Sequence, residues 1–495
     1  MASLSGMYKT SLALLTDLYQ LTMAYGYWKT GSADKEAVFN LTFRKNPFQG
    51  GYTLLAGLEY VLEFLRGFRF SEEDVSFLAG LQGNDGRPLF ESPFLDDLRR
   101  MRFSCDVHAI PEGTVAFPQE PVIRVQGPIM QCQILETPLL NILNFQSLIA
   151  TKAARICMAA QGESVLEFGL RRAQGIDGAL AASRAAYIGG CSSTSNVLAG
   201  RLFGIPVRGT HAHSWVMSFD SEEESFRQYA EALPNNCVFL VDTYNTLDGV
   251  RHAISAGTWL RSQGHEMIGI RLDSGDLAYL SREARRLLDE AGFPKASIFA
   301  SNDLDEHIIT SLKLQGATIA VWGVGTKLVT GFDQPALGGV YKLVAVRKPG
   351  ERWEYKVKLS EQAIKTSTPG ILQVRRFQAD SECIGDLIYD ESLGIGREIV
   401  LVDPMDSTRR KRINTGTPHE DLLVPVVKSG AVIYQSPSIQ DIRARSQQQL
   451  SRFHAGITRF VNPHTYPVGL EPSLHELKTQ LILKARGFGH ETAKG

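Results

Sequence analysis

"EMIGIRLDSGDLAYLSREARRLLDEAGFPKASIFAS", residues 266–301, is the stretch that decides the fold. It opens on a short apolar run, "EMIGIRLD" (266–273), and closes on another, "ASIFAS" (296–301). Between them Leu277, Leu280, Ala284, Leu287, Leu288 and Ala291 recur at three- and four-residue steps. That is the period of an amphipathic helix, and Gly292 stands where such a helix stops. Two strands joined by a helix read as a parallel pair. The same alternation extends from about residue 164 to 326. The other apolar runs are "SVLEF" (164–168), "AAYIGG" (185–190), "IPVRGT" (205–210), "CVFLVDT" (237–243) and "ATIAVWGVGT" (317–326). Seven such units predict an α/β fold with a parallel sheet, and the number fits an irregular β/α barrel with one unit short or distorted. An open doubly wound sheet is the alternative.

The flanks carry a different pattern. Residues 36–56, 103–135, 338–346, 353–359 and 370–378 alternate or are punctuated by proline and glycine, as antiparallel strands are. A discontinuous β-rich domain is therefore expected, assembled from both sides of the barrel. The expected segments are 1–140 (β-rich, first part), 141–335 (barrel), 336–436 (β-rich, second part) and 437–495, a helical C-terminal extension around "VNPHTYPVG".

Bulk properties narrow the class. A chain of 495 residues is long enough for several cores, and 43% hydrophobic with 21% charged residues fits a soluble globular protein. A formal net charge of -1 gives no global attraction to nucleic acid or an anionic membrane. The basic run "STRRKR" (407–412) reads as a solvated turn. No apolar stretch is long enough to span a bilayer, and "MASLSGMYKTSLALLTDLYQ" lacks the charged start and apolar core of a signal peptide. Cysteines at 105, 132, 157, 191, 237 and 383 form no C-x-x-C pair, so neither a disulfide framework nor a zinc site is expected, and a reducing cytoplasm is the expected compartment.

In parallel α/β folds chemistry gathers at the carboxyl ends of strands. Those positions hold "EFGLRRAQG" with Glu167, Phe168, Arg171 and Arg172; "GGCSSTSN"; "GTHAHS"; "VDTYNT" with Asp242; "RLDSGD" with Arg271, Asp273 and Asp276; "SNDLDE" with Asn302 and Asp303; and "GVGTKL" with Gly323, Gly325, Thr326 and Lys327. Each has a plain structural explanation, such as a helix cap or a tight turn. Together they describe one rim. Bare glycine backbone approaches phosphate closely, arginines grip phosphate or carboxylate, carboxylates hold Mg²⁺ or ribose hydroxyls, and Phe168 offers a stacking face. The rim suits a phosphorylated sugar and an aromatic ring, with metal assistance.

His211 and His213 leave three readings open: metal ligands on one strand face, a catalytic histidine, or polar residues at a strand end. The metal reading, that of a metal-dependent barrel amidohydrolase, needs more histidines at later strand ends. Arg271, Asn302 and Thr326 stand there instead, and His252, His265 and His307 fall in helix or pre-strand positions.

"TDLYQLTMAYGYWKTG", "EFGLRRAQG", "GTHAHSWVMSF", "RLDSGDL", "SNDLDE" and "GVGTKLVTGFDQPALGGVYKLV" together resemble the nicotinate phosphoribosyltransferase family, from about residue 12 to 345 and more weakly to about 430. The resemblance implies that nicotinate attacks the anomeric carbon of phosphoribosyl pyrophosphate, giving nicotinate mononucleotide and pyrophosphate, a step of NAD biosynthesis. It also implies Mg²⁺ and ATP as co-substrate, hydrolysed through a phosphohistidine at His213. His211 then falls where the family motif varies, as a polar strand-end residue. By the same resemblance Tyr19 and Phe168 sandwich the pyridine ring, Arg271 meets the nicotinate carboxylate, and Asp242 and Asp273 arrange the sugar, the metal or the phosphohistidine. Asn302 lies near the ribose hydroxyls, Gly323, Gly325 and Thr326 hold the 5′-phosphate, Arg171 lies on the phosphate side, and Thr210 and Ser214 belong to the substrate site. Which carboxylates hold Mg²⁺ stays unassigned. Tyr19 is supplied by a neighbouring subunit in the family, so a homodimer with shared sites is implied. Nicotinamide-using relatives carry an aspartate after the second strand; "GGCSSTSN" places Ser192 at about that position, which favours the acid. A non-catalytic nucleotide-binding relative would lack His213 or the "GVGT" turn, and both are present.

Overall fold

The computed structural model describes residues 11–488; residues 1–10 and 489–495, which belong to the expected first and last segments, lie outside them. The chain divides into two compact units, Ile149–Pro335 and the paired segments Met1–Leu148 and Ala336–Gly495.

In the unit of residues 149–335 the elements run β1 (Ser164–Glu167), α1 (Gly175–Ile188), β2 (Ser193–Thr194), α2 (Val197–Phe203), α3 (His213–Met217), α4 (Glu222–Ala232), β3 (Val238–Leu240), α5 (Thr246–Ser262), β4 (Gly269–Leu272), α6 (Leu277–Glu290), β5 (Ser297–Ala300), α7 (Glu306–Leu314), β6 (Val321–Val324) and α8 (Thr326–Val329). The sheet order is β2-β1-β6-β5-β4-β3, and every pair is parallel. β4, α6 and β5 are the strand, helix and strand expected from residues 266–301. Asp276 Oδ1 caps α6 by accepting from the N–H of Tyr279 at 3.0 Å. Gly292 follows the helix at φ 80°, a conformation open to glycine. Leu277, Ala284 and Leu288 are buried, whereas Ala291, expected on the same face, is exposed.

Two expected strands are corrected. "AAYIGG" is mostly the last turn of α1, and the strand comes later, at Ser193–Thr194. Ala182, Ala185 and Ala186 are buried on that helix, and alanine favours helix where a short apolar run has no period of its own. "IPVRGT" contributes a single bridge, Val207 to Thr194, rather than a strand. Six paired strands and one bridge stand in place of seven strand units.

The unit's interior also holds charge. Glu306, at the start of α7, receives Lys152 Nζ at 2.7 Å and Arg155 Nε at 2.8 Å, both from the helix Glu136–Ala160. All three side chains are almost wholly buried. Burial raises the Glu306 carboxyl, but the two cations outweigh it and hold the group below its ordinary range.

The other unit is β-rich and interleaved in sequence. Glu36–Phe43 lies antiparallel between Gly339–Arg347 and Ile123–Pro128 in a seven-stranded sheet that also holds Asp106–Ala109 and Val424–Lys428. A six-stranded sheet is built from residues 372–470. The stretch expected as a helical extension has the helices Ile439–Ser451, Ala455–Thr458 and Pro472–Ala485, and it also places the strand Val468–Leu470 beside Glu382–Asp390 in this sheet. "STRRKR", expected as a turn, is a turn only in its first half; Arg410–Ile413 is a strand at the edge of the six-stranded sheet. Charged side chains suit such an edge because they discourage further pairing. No helix among the described residues is long and apolar enough to cross a membrane.

Glu306→Ala leaves two buried cations without their shared carboxylate. We expect a loss of about 3–5 kcal/mol in urea unfolding, and a loss under about 1 kcal/mol would show that the pair is compensated elsewhere.

Candidate active site

The strand ends surround a cavity of about 170 Å³ lined by Phe168, Arg171, Arg172, Arg271, Asp273, Ser301, Asn302, Asp303, Gly323, Gly325 and Thr326. Its shape follows from a few local constraints. Buried Glu167 closes the first loop: one oxygen accepts from the Gly169 N–H, and the other from Ser183 Oγ at 2.8 Å and Thr194 Oγ1 at 2.5 Å. That fixes Phe168, whose ring lies over Gly323. A Cβ at Gly323 would stand 2.7 Å from the ring, so only glycine leaves it room. On the neighbouring strand end Asn302 holds φ 107°, a conformation that strains a residue with a side chain. Strain of this kind carries about 1–3 kcal/mol and gathers at functional sites.

Arg271 ties the rim together. Its Nε donates to Ser301 Oγ at 3.0 Å, Nη1 to Thr210 Oγ1 at 2.5 Å and His211 O at 3.4 Å, and Nη2 to Asp273 Oδ1 at 3.4 Å. Ser301 Oγ also donates to Asp273 Oδ1. Burial raises the Asp273 carboxyl, but the Ser301 hydroxyl and the Arg271 charge outweigh it and hold the group ionised below the usual range. Asp242 Oδ2 accepts from the Asp273 N–H at 2.9 Å and from Ser274 Oγ at 2.6 Å, while its Oδ1 is buried without a hydrogen-bond partner among the described residues.

The two histidines have different environments. His211 is buried, its ring lies 4.8 Å from that of Tyr229, and its Nε2 accepts the N–H of Leu240 in β3 at 3.2 Å. Burial is the main reason that its pKa is pushed down to about 4, so the ring is neutral. His213 opens α3, half-buried, with Nδ1 3.1 Å from Thr243 Oγ1 and Nε2 3.7 Å from Asp273 Oδ2.

The cavity thus gathers Phe168, Arg171, Arg271, Asp273, Asn302, Gly323, Gly325 and Thr326 from the expected set. Thr210, His213 and Asp242 join it through Arg271 and Asp273. Ser214 is exposed on α3. Tyr19 is on the helix Leu18–Lys29 of the other unit, 49% exposed. The Gly323–Thr326 turn leads into a helix of only four residues. Lys327 is engaged by Asp305 at 2.7 Å, and Ser192, expected after the second strand, instead directly precedes β2 and donates to Val165 O at 3.1 Å. Sequence reasoning missed Ser301, Thr243, Ser183 and Thr194. Ser301, Thr243 and Thr194 carried a signal, since each stands in one of the strand-end stretches "SNDLDE", "VDTYNT" and "GGCSSTSN", whereas Ser183 carried none.

Cations and bare glycine backbone around a cavity at the carboxyl ends of a parallel sheet define an α/β enzyme for an anionic substrate. Family models agree along the chain: the nicotinate phosphoribosyltransferase N-terminal domain matches residues 14–144, the family itself 164–380 and the C-terminal domain 373–478. The nicotinate phosphoribosyltransferase of Bacillus subtilis is 44% identical over 477 residues, covering 95% of both chains. That of Dictyostelium discoideum is 39% identical, covering 95% of this chain and 88% of its own. The crystal structure of human nicotinic acid phosphoribosyltransferase superposes with a TM-score of 0.82 at 33% identity, covering 94% of this chain and all of that one. The chain belongs to the nicotinate phosphoribosyltransferase family.

His211 makes stability depend on pH in a defined window. Its pKa is lower folded, about 4, than in the ordinary state, 6.5. As pH falls between these values the unfolded chain takes up a proton that the folded ring refuses, so stability falls; above the window the contribution is complete. The difference is on the order of 3 kcal/mol. His211→Gln keeps an acceptor for Leu240 but does not titrate. We expect its urea midpoint to fall less steeply across that window than that of the wild type; equal slopes would refute the assignment.

Proposed function

We propose that this chain is a nicotinate phosphoribosyltransferase that joins nicotinate to phosphoribosyl pyrophosphate, releases pyrophosphate and supplies nicotinate mononucleotide for NAD biosynthesis. The observation that carries this is 44% identity along 95% of both chains, joined to a rim in which the motif residues meet around one cavity. The amidohydrolase reading loses its basis: among the described residues no three His, Cys, Asp or Glu side chains stand where they could hold a metal ion.

The transition state of such a transfer carries positive charge on the ribose and increasing negative charge on the pyrophosphate. Exposed Arg171 and Arg172 on the cavity wall suit the phosphate side. Gly323, Gly325 and Thr326 are assigned the 5′-phosphate, Asn302 the ribose hydroxyls, and Phe168 one face of the pyridine. Four hydrogen bonds to protein already engage the Arg271 fork. Arg271 therefore meets the nicotinate carboxylate with its charge and its remaining N–H, while holding Thr210 and Asp273 in place. Mg²⁺ fits the donor set, since the partnerless oxygen of Asp242 and the ionised Asp273 provide the one or two carboxylates that this ion takes beside substrate phosphates. When bound it would neutralise the leaving pyrophosphate.

ATP coupling is assigned to His213, whose Nε2 faces Asp273 with no hydrogen bond. Ser214 belongs to the same substrate segment. A cavity of about 170 Å³ is small against the usual ligand range of about 300–1,000 Å³. That supports a site completed in a homodimer, with Tyr19 of a second copy on the other face of the pyridine. The sheet order, which places β2 and β3 at its two edges with Val207 bridged to β2, supports the incomplete seven-unit barrel. Six free thiols support a reducing, cytoplasmic compartment.

Purified protein with nicotinate, phosphoribosyl pyrophosphate and Mg²⁺ should form the mononucleotide, faster with ATP; no product with either mixture overturns the proposal. His213→Ala should abolish ATP hydrolysis and the ATP-dependent gain, with part of the ATP-independent transfer surviving. Mixing inactive Tyr19→Ala and Arg271→Ala chains should restore activity through heterodimers with one intact site. No recovery despite demonstrated subunit exchange would exclude the shared site.

A further inference from the structure

We infer that Thr243 is the positioning residue of His213. The inference rests on the ATP coupling proposed above, and its observations are geometric. Among the described residues the His213 ring has one hydrogen bond within reach, from Nδ1 to Thr243 Oγ1 at 3.1 Å. The approach of Nε2 to Asp273, 3.7 Å, is too long for a hydrogen bond. α3 adds little restraint, since it has five residues and its N-cap, Ala212, offers no side-chain cap. An imidazole held through one nitrogen keeps its orientation only while that contact lasts.

Thr243 is well placed for this work. It follows β3 by three residues, and its neighbour Asp242 is locked by Asp273 and Ser274. The hydroxyl therefore sits on backbone fixed by the buried sheet. With Nδ1 turned to Thr243, Nε2 is the nitrogen that faces Asp273 and the cavity edge. In the coupled step the Nε2 lone pair forms a bond to the terminal phosphorus of ATP. The bond from that phosphorus to the bridging oxygen breaks, and ADP leaves with the electron pair. The Nδ1 proton stays on the ring, donated to Thr243 Oγ1. Water later attacks the phosphorus, phosphate leaves, and Nε2 recovers its lone pair. A threonine hydroxyl thus fixes both the orientation of the ring and the nitrogen that is free to react. Valine has the same shape without the hydroxyl, and serine keeps the hydroxyl.

The test compares Thr243→Val and Thr243→Ser with wild type in the full-length protein. Two rates are measured: uptake of acid-labile label from γ-labelled ATP, and ATP-independent mononucleotide synthesis. Loss of one neutral hydrogen bond corresponds to a rate change of about tenfold. We expect Thr243→Val to lose about tenfold more in phosphate uptake than in ATP-independent synthesis, and Thr243→Ser to recover most of that difference. A proportional fall in both rates, or wild-type uptake by Thr243→Val, overturns the inference. A third measurement stands apart from ATP coupling. Nitrogen NMR of ring-labelled histidine should show one fixed His213 tautomer in wild type and Thr243→Ser, and exchange between tautomers in Thr243→Val. If wild type takes up no phosphate, the coupling proposal fails, and the NMR comparison alone decides whether Thr243 holds the ring; identical spectra in all three proteins would show that it does not.

Discussion

The N–H of Leu240 needs an acceptor that no strand provides. Leu240 is wholly buried in β3, which is an edge of the parallel sheet. A buried backbone donor left unpaired costs about 1–3 kcal/mol. The segment that would be the next strand, around Val207, reaches only far enough to bridge β2 on its other side. His211 Nε2 fills the gap at 3.2 Å. A side chain thus does at the seam what a strand does elsewhere in the sheet, and the chain between Arg208 and His213 is free to carry functional groups instead of a ladder. Arg271 holds the same segment from β4, through Thr210 Oγ1 and His211 O. His213 begins α3 two residues beyond the seam, so its position derives from these contacts.

Charge at the rim is arranged around that seam. Asp273 is flanked by Arg271, the Ser301 hydroxyl and His213, while its backbone N–H is spent on Asp242. The favourable partners keep the carboxyl ionised despite burial. Asp305 engages Lys327 directly, whereas Arg171 and Arg172 remain exposed at the cavity. The rim therefore separates cations used for construction from cations open to an anion.

Much of this was legible in the sequence, and the exceptions have physical causes. The strand ends named themselves because an apolar run followed by charged or glycine residues marks the point where a parallel strand leaves the core. Residues 266–301 carried the fold because their helix was long enough to show a period. "AAYIGG" was too short for that, and its alanines belong to α1. The bridge at Val207 could not be told from a strand, since the run is too short to show a period and its exposure was not legible: Ile205 is buried, whereas Val207 is 40% exposed. The roles of Thr243, Ser301, Ser183 and Thr194 depend on partners 16 to 30 residues distant in sequence. No local spacing encodes such pairs. Tyr19 was legible only through the family motif, since a half-exposed tyrosine on a helix has no signature of its own.

The interleaved β-rich sheet bears on how the chain is made. Glu36 pairs with Arg347 and Phe43 with Gly339, so an interior strand of that sheet waits for a partner about three hundred residues downstream. The parallel unit between them is contiguous in sequence, and all its strands leave the ribosome before that partner does. At roughly 5–20 residues per second, Glu36–Phe43 stands without that neighbour for some 15 to 60 seconds of synthesis. Its core-facing side chains, Val38, Phe39 and Leu41 among them, are then an unpaired apolar edge in the nascent chain. The catalytic half completes its own sheet first, and the other half is closed by chain that arrives last.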